Sequence, residues 1–143
     1  MEITEFALRM GCAIVAGLLI GFEREYKNKH AGLKTNTLVA LGSAIFVLIS
    51  LRFFGEEYSD ITRVLSQVVI GIGFIGGGTI VQHGKDIHGL TTAATIWCSA
   101  GAGCLAAFGM FGELGILAVA VVLINLIFGI VDRKIGREKT EEE

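Results

Sequence analysis

The sequence predicts an all-α membrane protein, a bundle of five transmembrane helices. Five apolar stretches are each long enough to cross a bilayer, whose hydrocarbon core of about 30 Å needs roughly 20 helical residues. Hydrophobic residues make up 52% of the 143-residue chain, and its mean hydropathy is +0.66. The stretches are apolar on all sides, whereas the helices of a soluble protein carry a polar face. A soluble fold is therefore excluded.

The predicted spans are separated by short polar connections. The first span contains Arg9 and follows an acidic N-terminus, which argues against a cleaved secretory signal. We assign residues 1–132 to the transmembrane domain and 133–143 to a short charged tail. The five spans are expected at residues 6–22, 37–54, 64–82, 90–111 and 114–131.

Basic residues are distributed unevenly over the connections, and cytoplasmic loops are enriched in Lys and Arg. If the N-terminus lies outside, nine bases face the cytoplasm and two face outward, with Arg9 left inside the membrane. The sequence thus predicts that the N-terminus lies outside and the C-terminus in the cytoplasm. The expected location is the inner (plasma) membrane. The net charge of −2 gives no indication of nucleic acid as a partner, and the expected surroundings are the lipid bilayer.

The sequence shows no pattern typical of a catalytic centre or a cofactor. Hydroxyl side chains lie mainly near expected helix ends, and no His or acid is placed to activate a nucleophile. We predict that the protein is not an enzyme, and we interpret its three cysteines as small packing residues. A magnesium site on Glu23, Glu25 and Asp86 is an alternative, because Mg²⁺ prefers carboxylate oxygens. Acids two positions apart diverge on a helix, however, so we assign no metal.

Glycine occurs 20 times in the chain, and proline is absent. Helices in lipid associate through small residues that allow their backbones to approach closely. Four-residue spacing places Gly17 and Gly21 on one face of the first span, and Gly73 and Gly77 on one face of the third. We predict that both faces are helix contact surfaces.

The third span also contains a run that matches GxGxxG, made by Gly71, Gly73, Gly76, Gly77 and Gly78. That dinucleotide-binding fingerprint requires a preceding strand and a loop in water. This run lies within a predicted membrane span, so we do not assign a dinucleotide site. Two interpretations stay open: a tightly packed helix, or a local break whose backbone amides line a polar cavity.

Polar residues gather at two levels of the predicted bundle. Arg9 and Gln67 belong to the outer level, where Arg9 either finds a partner inside the bundle or reaches the surface with Glu2, Glu5 or Asp60 nearby. The inner level faces the cytoplasm and receives residues from all five helices, including Asn125 from the fifth. Its candidate ligand-binding or regulatory residues are Glu23, Arg24, Glu25, Lys34, Thr35, Asn36, Thr91, Thr92 and Trp97.

Two interpretations of the inner level stay open. The threonines at 35, 37, 91 and 92 lie where helices are expected to begin, so they can act as caps. Alternatively, two positive helix ends converge near Arg24 and Lys34 and form a pocket for an anionic group, which Glu23 itself can occupy. Glu23 and Lys27 also have the i,i+4 spacing of a solvated ion pair.

Four segments, in order along nearly the whole chain, resemble the MgtC/SapB family of bacterial and archaeal inner-membrane proteins. They are GFERE at 21–25, AGLKTNTLVALGSAIFVLIS at 31–50, QVVIGIGFIGGGTI at 67–80 and GLTTAATIWCSAGAG at 89–103. Lys34 and Asn36 stand where the family usually has Arg and His, and the sequence lacks the soluble C-terminal domain of the longer virulence members. The residues on the family's motif positions are Arg9, Glu23, Arg24, Glu25, Gly32, Thr35, Gln67, Gly73, Gly76, Gly89, Thr91 and Thr92.

The resemblance implies a five-helix membrane domain with a cytoplasmic C-terminus. Members of the family are associated with adaptation to magnesium limitation, acid tolerance and survival within host cells, and some restrain the membrane ATP synthase through contacts in the membrane. We therefore expect a non-enzymatic regulatory protein that forms a homo-oligomer, with a dimer favoured, and contacts another membrane complex. The alternative is a small ion or solute transporter, channel or sensor with a polar cavity facing the cytoplasm.

Overall fold

The computed structural model describes the backbone of residues 1–56 and 60–141, and side chains as far as residue 129. Apolar stretches become helices because, in a bilayer, the backbone must satisfy its hydrogen bonds within each segment. The described residues contain five helices, which confirms the prediction of an all-α bundle. The elements are α1 (Ile3–Tyr26), α2 (Leu33–Leu51), α3 (Ile61–Gly77), β1 (Val81–His83), β2 (Asp86–His88), α4 (Leu90–Phe108) and α5 (Phe111–Glu141).

Four of these helices, α1, α2, α4 and α5, contain segments long and apolar enough to cross a membrane. The remaining helix, α3, has 17 residues and is about 26 Å long, at the lower limit for a span. The backbone of α5 continues to Glu141, past the predicted end of the fifth span. The side chains of the predicted tail at 133–143 lie outside the described residues.

The third span ends earlier than the sequence predicts, because α3 stops at Gly77 rather than at residue 82. Each glycine at 76–78 lowers helix propensity by about 1 kcal/mol. The chain then forms an antiparallel hairpin in which His83 pairs with Asp86. Gly84, with a φ of +61°, adopts the left-handed conformation that this two-residue turn requires. Gly71, Gly73 and Gly76 are thus helical, and the helix ends within the glycine run, at Gly77.

The centre of the bundle is α4, which packs against α1, α2, α3 and α5. Small residues cover its buried surface and allow neighbouring backbones to approach. Because α2 packs on both α1 and α4, these three helices form the core of the bundle. The small buried residues of α4 include Ala100, Ala102, Gly103, Ala106 and Ala107.

Glycines in the core lie directly against the backbone of another helix. A Cβ added to Gly17 would lie 2.6 Å from the Cα of Thr37, and one added to Gly21 would lie 2.8 Å from the Cα of Leu33. A Cβ on Gly103 would overlap the carbonyl oxygen of Ala40. The face that the sequence predicts on the first span therefore lies against α2, and only glycine fits there.

The outer surface of the bundle is rich in large apolar side chains. Phe22, Phe74 and Phe128 are 63%, 87% and 60% exposed. In water such a surface would be unstable, but acyl chains cover it in a bilayer. The distribution of apolar side chains thus agrees with the membrane assignment from the sequence.

Candidate polar cavity between α1, α4 and α5

The two ends of the bundle carry different polar groups. At one end, named here the Glu23 end, α1 and α3 finish while α2 and α4 begin. At the opposite end, the Arg9 end, α1 and α3 begin while α2 and α4 finish. A cavity of about 820 Å³ opens at the Glu23 end between α1, the hairpin, α4 and α5. Its lining combines the apolar residues Ile87, Leu90, Ile124 and Phe128 with the polar residues Glu23, Arg24, Lys27, Lys29, His30, His88, Thr91, Thr92 and Asn125.

An ion pair on the last turns of α1 lines this cavity. Oε1 of Glu23 lies 2.8 Å from Nζ of Lys27, one helical turn away. Both side chains are shielded, with 6% of the Glu23 side chain and 17% of the Lys27 side chain exposed. The ammonium also donates a hydrogen bond of 3.0 Å to the backbone carbonyl of Asn125. Because α5 covers the pair, Lys27 joins α1 to α5 instead of pointing into water.

The Lys27 ammonium needs the space that Gly129 leaves on α5. A Cβ at position 129 would lie 2.9 Å from Nζ of Lys27. That separation is tighter than ordinary van der Waals contact, so a larger residue would displace the ammonium. The glycine therefore positions the charged end of Lys27 between Glu23 and Asn125.

Arg24 joins α1 to the first turn of α4. Its guanidinium donates a hydrogen bond of 2.7 Å to Oγ1 of Thr92 and one of 3.3 Å to the carbonyl of His30. Arg24 is only 4% exposed and Thr92 only 5%. Buried hydrogen bonds to a charged group contribute more than neutral ones, about 1.5–3 kcal/mol each. The pair thus fixes the start of α4 against the end of α1.

Three buried polar atoms of the cavity lining have no hydrogen-bond partner among the described residues. They are Oε2 of Glu23, Nε of Arg24 and Nδ2 of Asn125. Burying a polar atom without a partner costs about 1–3 kcal/mol. The residues that line the cavity therefore hold one buried acceptor and two buried donors that no described residue satisfies.

Glu25 has a different role from its neighbours. Its Oε2 accepts a hydrogen bond of 3.1 Å from the backbone N–H of Leu33, the first residue of α2. The residue at the N-cap position of α2, Gly32, makes no side-chain cap bond. Glu25 thus caps α2 from the end of α1, a favourable place for a negative charge.

The threonines expected as caps do not cap the helices. The N-cap positions of α2 and α4 are Gly32 and Gly89, and neither has a side-chain cap. Because α2 starts at Leu33, Thr35 lies inside the helix. On α4, Thr92 accepts from Arg24, and Thr95 donates back to the Thr91 carbonyl over 2.8 Å. Of the threonines predicted as caps, Thr92 thus makes a tertiary contact with Arg24 instead.

Asn36 lies outside the cavity, in a closed network between α2 and α4. It is fully buried, and its Oδ1 accepts a hydrogen bond of 2.8 Å from Ser99. Its Nδ2 donates to the carbonyl oxygens of Ala31 and Gly32. All of its polar atoms have partners, so Asn36 holds α2 against α4.

Four other predicted residues are also apart from the cavity. Thr35 and Gln67 line a separate, mainly apolar groove of about 730 Å³ between α2 and α3. Lys34 is exposed, and Trp97 is 55% exposed on the outer face of α4. The structure thus brings Glu23, Arg24, Thr91 and Thr92 together, while Lys34, Thr35, Gln67 and Trp97 face other surroundings.

Arg9 forms a separate polar contact at the opposite end of the bundle. Its guanidinium pairs with Glu5 and donates to the backbone carbonyl of Ala107 near the end of α4. A cation is favourable there because the last carbonyls of a helix carry partial negative charge. Gly109, whose φ is +75°, ends α4 beside the guanidinium. Arg9 therefore shows a part of each alternative. Its guanidinium bonds a backbone carbonyl inside the bundle and also pairs with the neighbouring acid Glu5.

The acids considered for magnesium do not converge. Glu23 pairs with Lys27, Glu25 caps α2, and Asp86 belongs to the hairpin. Within residues 1–56 and 60–129, no group of three or more His, Cys, Asp or Glu side chains is close enough to hold a metal ion. The described side chains therefore offer no preformed cage for a divalent cation.

The sequence analysis missed one polar feature of α4 and misinterpreted one ion pair of α1, although the sequence carries signals for both. Thr92, Thr95 and Ser99 are spaced by three and four residues, which marks a polar stripe along one face of α4. All three are buried. The Glu23 and Lys27 spacing was recognised, but the pair was interpreted as solvated because the coverage by α5 is not visible in sequence.

Helices of membrane-spanning length, an apolar outer surface and an ion pair shielded within the bundle define a polytopic helical membrane protein. The MgtC family matches residues 10–134 of the chain, and the chain therefore belongs to the MgtC family. This confirms the resemblance drawn from the four segments.

Curated relatives agree with the family assignment. The chain is 45% identical over 115 residues to Protein MgtC of Brucella abortus, covering 80% of this chain and 48% of that protein. It is 39% identical over 122 residues to Protein MgtC of Salmonella typhimurium, covering 85% and 52%. An uncharacterized protein of Synechocystis sp. is 44% identical over 126 residues, covering 88% and 53%. The chain thus spans about half the length of these relatives, and no solved structure matches it.

Proposed function

We propose that this protein is a regulatory protein of the inner membrane that acts by helix contact with another membrane complex and catalyses no reaction. The observation that carries the proposal is the free glycine face of α3. Among the described residues, a Cβ added to Gly73 or Gly77, which share one face of the helix, would meet nothing within 4 Å. Glycines in the core are matched to a neighbouring backbone, whereas these have room for a partner helix. Small residues of this spacing are the usual contact surface between helices in lipid.

The proposed conditions and partner come from the family. Members are associated with magnesium limitation and acid stress, and a membrane complex such as the ATP synthase is the proposed target. We also propose a homo-oligomer, with a dimer favoured, and an outside N-terminus with a cytoplasmic C-terminus. In that orientation the Glu23 end faces the cytoplasm, in keeping with the nine bases on that side.

Co-purification from native membranes in mild detergent tests the contact. The wild type should recover a membrane complex in stoichiometric amounts. Gly73→Leu and Gly77→Leu should abolish recovery, because each side chain fills the free face of α3. Gly115→Leu on α5 is the matched control, since Gly115 is also open yet lies on another helix. The proposal would be overturned if wild type were purified without any partner complex. It would also be overturned if wild type and the three variants recovered the complex in equal amounts.

Side-specific labelling tests the orientation. Lys29→Cys and Lys85→Cys should react with a membrane-impermeant thiol reagent only from the cytoplasmic side, and Arg52→Cys only from outside. All three positions are exposed. Labelling of Lys85→Cys and Arg52→Cys from the same side would show that α3 does not cross the membrane.

The cavity favours a second candidate function, a small transporter, channel or solute sensor. A space of about 820 Å³ lined by buried charges is typical of a solute site in a membrane bundle. Flux in proteoliposomes under Mg²⁺, K⁺ and H⁺ gradients tests it. Flux that Glu23→Gln abolishes without loss of folding would support transport, and silence under all three gradients would exclude transport of these ions.

A further inference from the structure

We propose that the cavity at the Glu23 end binds a phosphate group that carries a proton, either free phosphate or the headgroup of phosphatidic acid. The site lies between the first turn of α4, Arg24 and Asn125. This inference does not depend on the proposed contact with another complex, because it concerns the purified protein alone.

The charge of the cavity favours an anion. Three bases, Arg24, Lys27 and Lys29, line it together with one carboxylate, that of Glu23. The first turn of α4 adds backbone N–H groups that have no acceptor within the helix. The N-cap residue Gly89 supplies no side-chain acceptor for them. A helix start of this kind attracts phosphate through its free amides and its partial positive charge.

The unpartnered donors indicate where the anion is held. Arg24 is 96% buried, as its exposed fraction is 4%, yet its Nε has no hydrogen-bond partner among the described residues. The same holds for Nδ2 of Asn125, on the α5 side of the cavity. Arg24 is tied to the start of α4 through Thr92, over 2.7 Å. Both donors therefore belong to the same cavity as the free amides.

The free oxygen of Glu23 selects which anion fits. Oε1 is bonded to Lys27, whereas Oε2 is buried without a donor. A fully deprotonated anion such as sulfate would place oxygen against this carboxylate and be repelled. A phosphate with one proton offers anionic oxygens to the donors and one O–H to Oε2. The apolar lining at Ile124 and Phe128 leaves space for a lipid as well as for a free ion.

Binding to the full chain in nanodiscs tests the proposal with inorganic phosphate and with sulfate. In nanodiscs of neutral phosphatidylcholine, phosphate should bind at least tenfold more tightly than sulfate. The second arm omits free phosphate and adds an anionic lipid to the nanodiscs. Phosphatidic acid should raise the unfolding temperature of the protein more than phosphatidylglycerol, whose phosphodiester lacks the proton. Success in either arm supports the site and identifies its source. The proposal is overturned if both arms fail, that is, if phosphate binds no more tightly than sulfate in the first arm and phosphatidic acid stabilises no more than phosphatidylglycerol in the second.

Two variants and a control locate the site. Asn125→Leu removes an unpartnered donor without breaking a side-chain hydrogen bond, so folding should persist while phosphate affinity falls about five- to tenfold. Glu23→Gln should bring sulfate affinity close to that of phosphate. Gln67→Leu, in the separate groove between α2 and α3, should change neither. Unaltered phosphate affinity in Asn125→Leu together with unaltered selectivity in Glu23→Gln would place the ligand elsewhere.

Discussion

The core of α1, α2 and α4 uses its glycines differently from α3. Gly17, Gly21 and Gly103 lie against the backbone of another helix of the same chain, with no room for a Cβ. A Cβ added to Gly73 or Gly77 would have no neighbour within 4 Å in the described part of the chain, although their spacing is the same as that of Gly17 and Gly21. Identical spacing thus serves internal packing in one region and leaves a free surface in the other. The difference teaches that a small-residue motif predicts contact but not the identity of the partner.

The largest expected effect is that of Gly103→Ala in the core. The added methyl group would overlap the carbonyl oxygen of Ala40. Neither group can move easily, because each is attached to the backbone of a helix. We expect a loss of about 3 kcal/mol in the free energy of unfolding, measured by denaturant unfolding in detergent micelles. Gly101→Ala on the same helix is the control, because its Cβ would make an ordinary contact of 3.9 Å with Leu117. Equal stability of the two variants would contradict the difference in packing.

The next effect concerns buried polar groups. Asn36→Ala removes the acceptor of Ser99 and leaves that hydroxyl unpartnered in the core, so we expect a cost of about 2–3 kcal/mol. Gln67→Ala on α3 alters an exposed side chain and should change stability by less than about 0.5 kcal/mol. Thermal unfolding in the same detergent compares them. A larger loss in Gln67→Ala would show that α3 is as tightly integrated as the core.

A smaller effect of opposite sign is expected on α3. Gly73→Ala meets no neighbour and improves helix propensity, so the free energy of unfolding of the isolated protein should rise by about 0.5–1 kcal/mol. Denaturant unfolding of the purified chain provides the measurement. Destabilisation would mean that this face already packs against another part of the protein, or against a second copy.

The smallest effect is the pH dependence at the start of α3. The pKa of Asp60 lies below its ordinary value of 3.8 because its carboxylate accepts hydrogen bonds from the side chain and backbone of Thr62. The stabilisation from the ionised Asp60 carboxylate is complete at pH values above the ordinary pKa of 3.8. It is lost as the pH falls through the lowered pKa of the folded state. Asp60→Asn keeps a capping oxygen but cannot titrate. Thermal unfolding at pH 6 and pH 3 should therefore show wild type losing stability relative to Asp60→Asn. A constant difference between the two would refute the cap.

Much of the fold could be predicted because it depends on local properties of the sequence. Apolar runs of span length predicted the helices, whereas the third span was expected to reach residue 82 and ends at Gly77. The hairpin was missed, because strands of three residues carry little periodicity and the run from Val81 to His88 is short. The exact end of a helix depends on such local competition.

The candidate site was predicted in part. Glu23, Arg24, Thr91 and Thr92 were expected at one level of the bundle, and they line one cavity. Asn36 and Thr35 were expected with them, yet they face α4 and α3 respectively. Neighbouring residues of a helix point in directions about 100° apart. Depth in the membrane can therefore be estimated from sequence, whereas direction around the helix axis requires knowledge of the neighbours.

The amino-acid sequence by itself determined the class of protein, the family and the helices. These follow from length, hydropathy and motif order, which do not depend on distant parts of the chain. The tertiary structure decided that α5 covers the Glu23 and Lys27 pair, that Glu25 caps α2, and that Gly73 and Gly77 of α3 contact no other described helix. The physical reason is that lipid gives no hydrophobic attraction between helices, so the arrangement is decided by shape and hydrogen bonding between residues far apart in sequence.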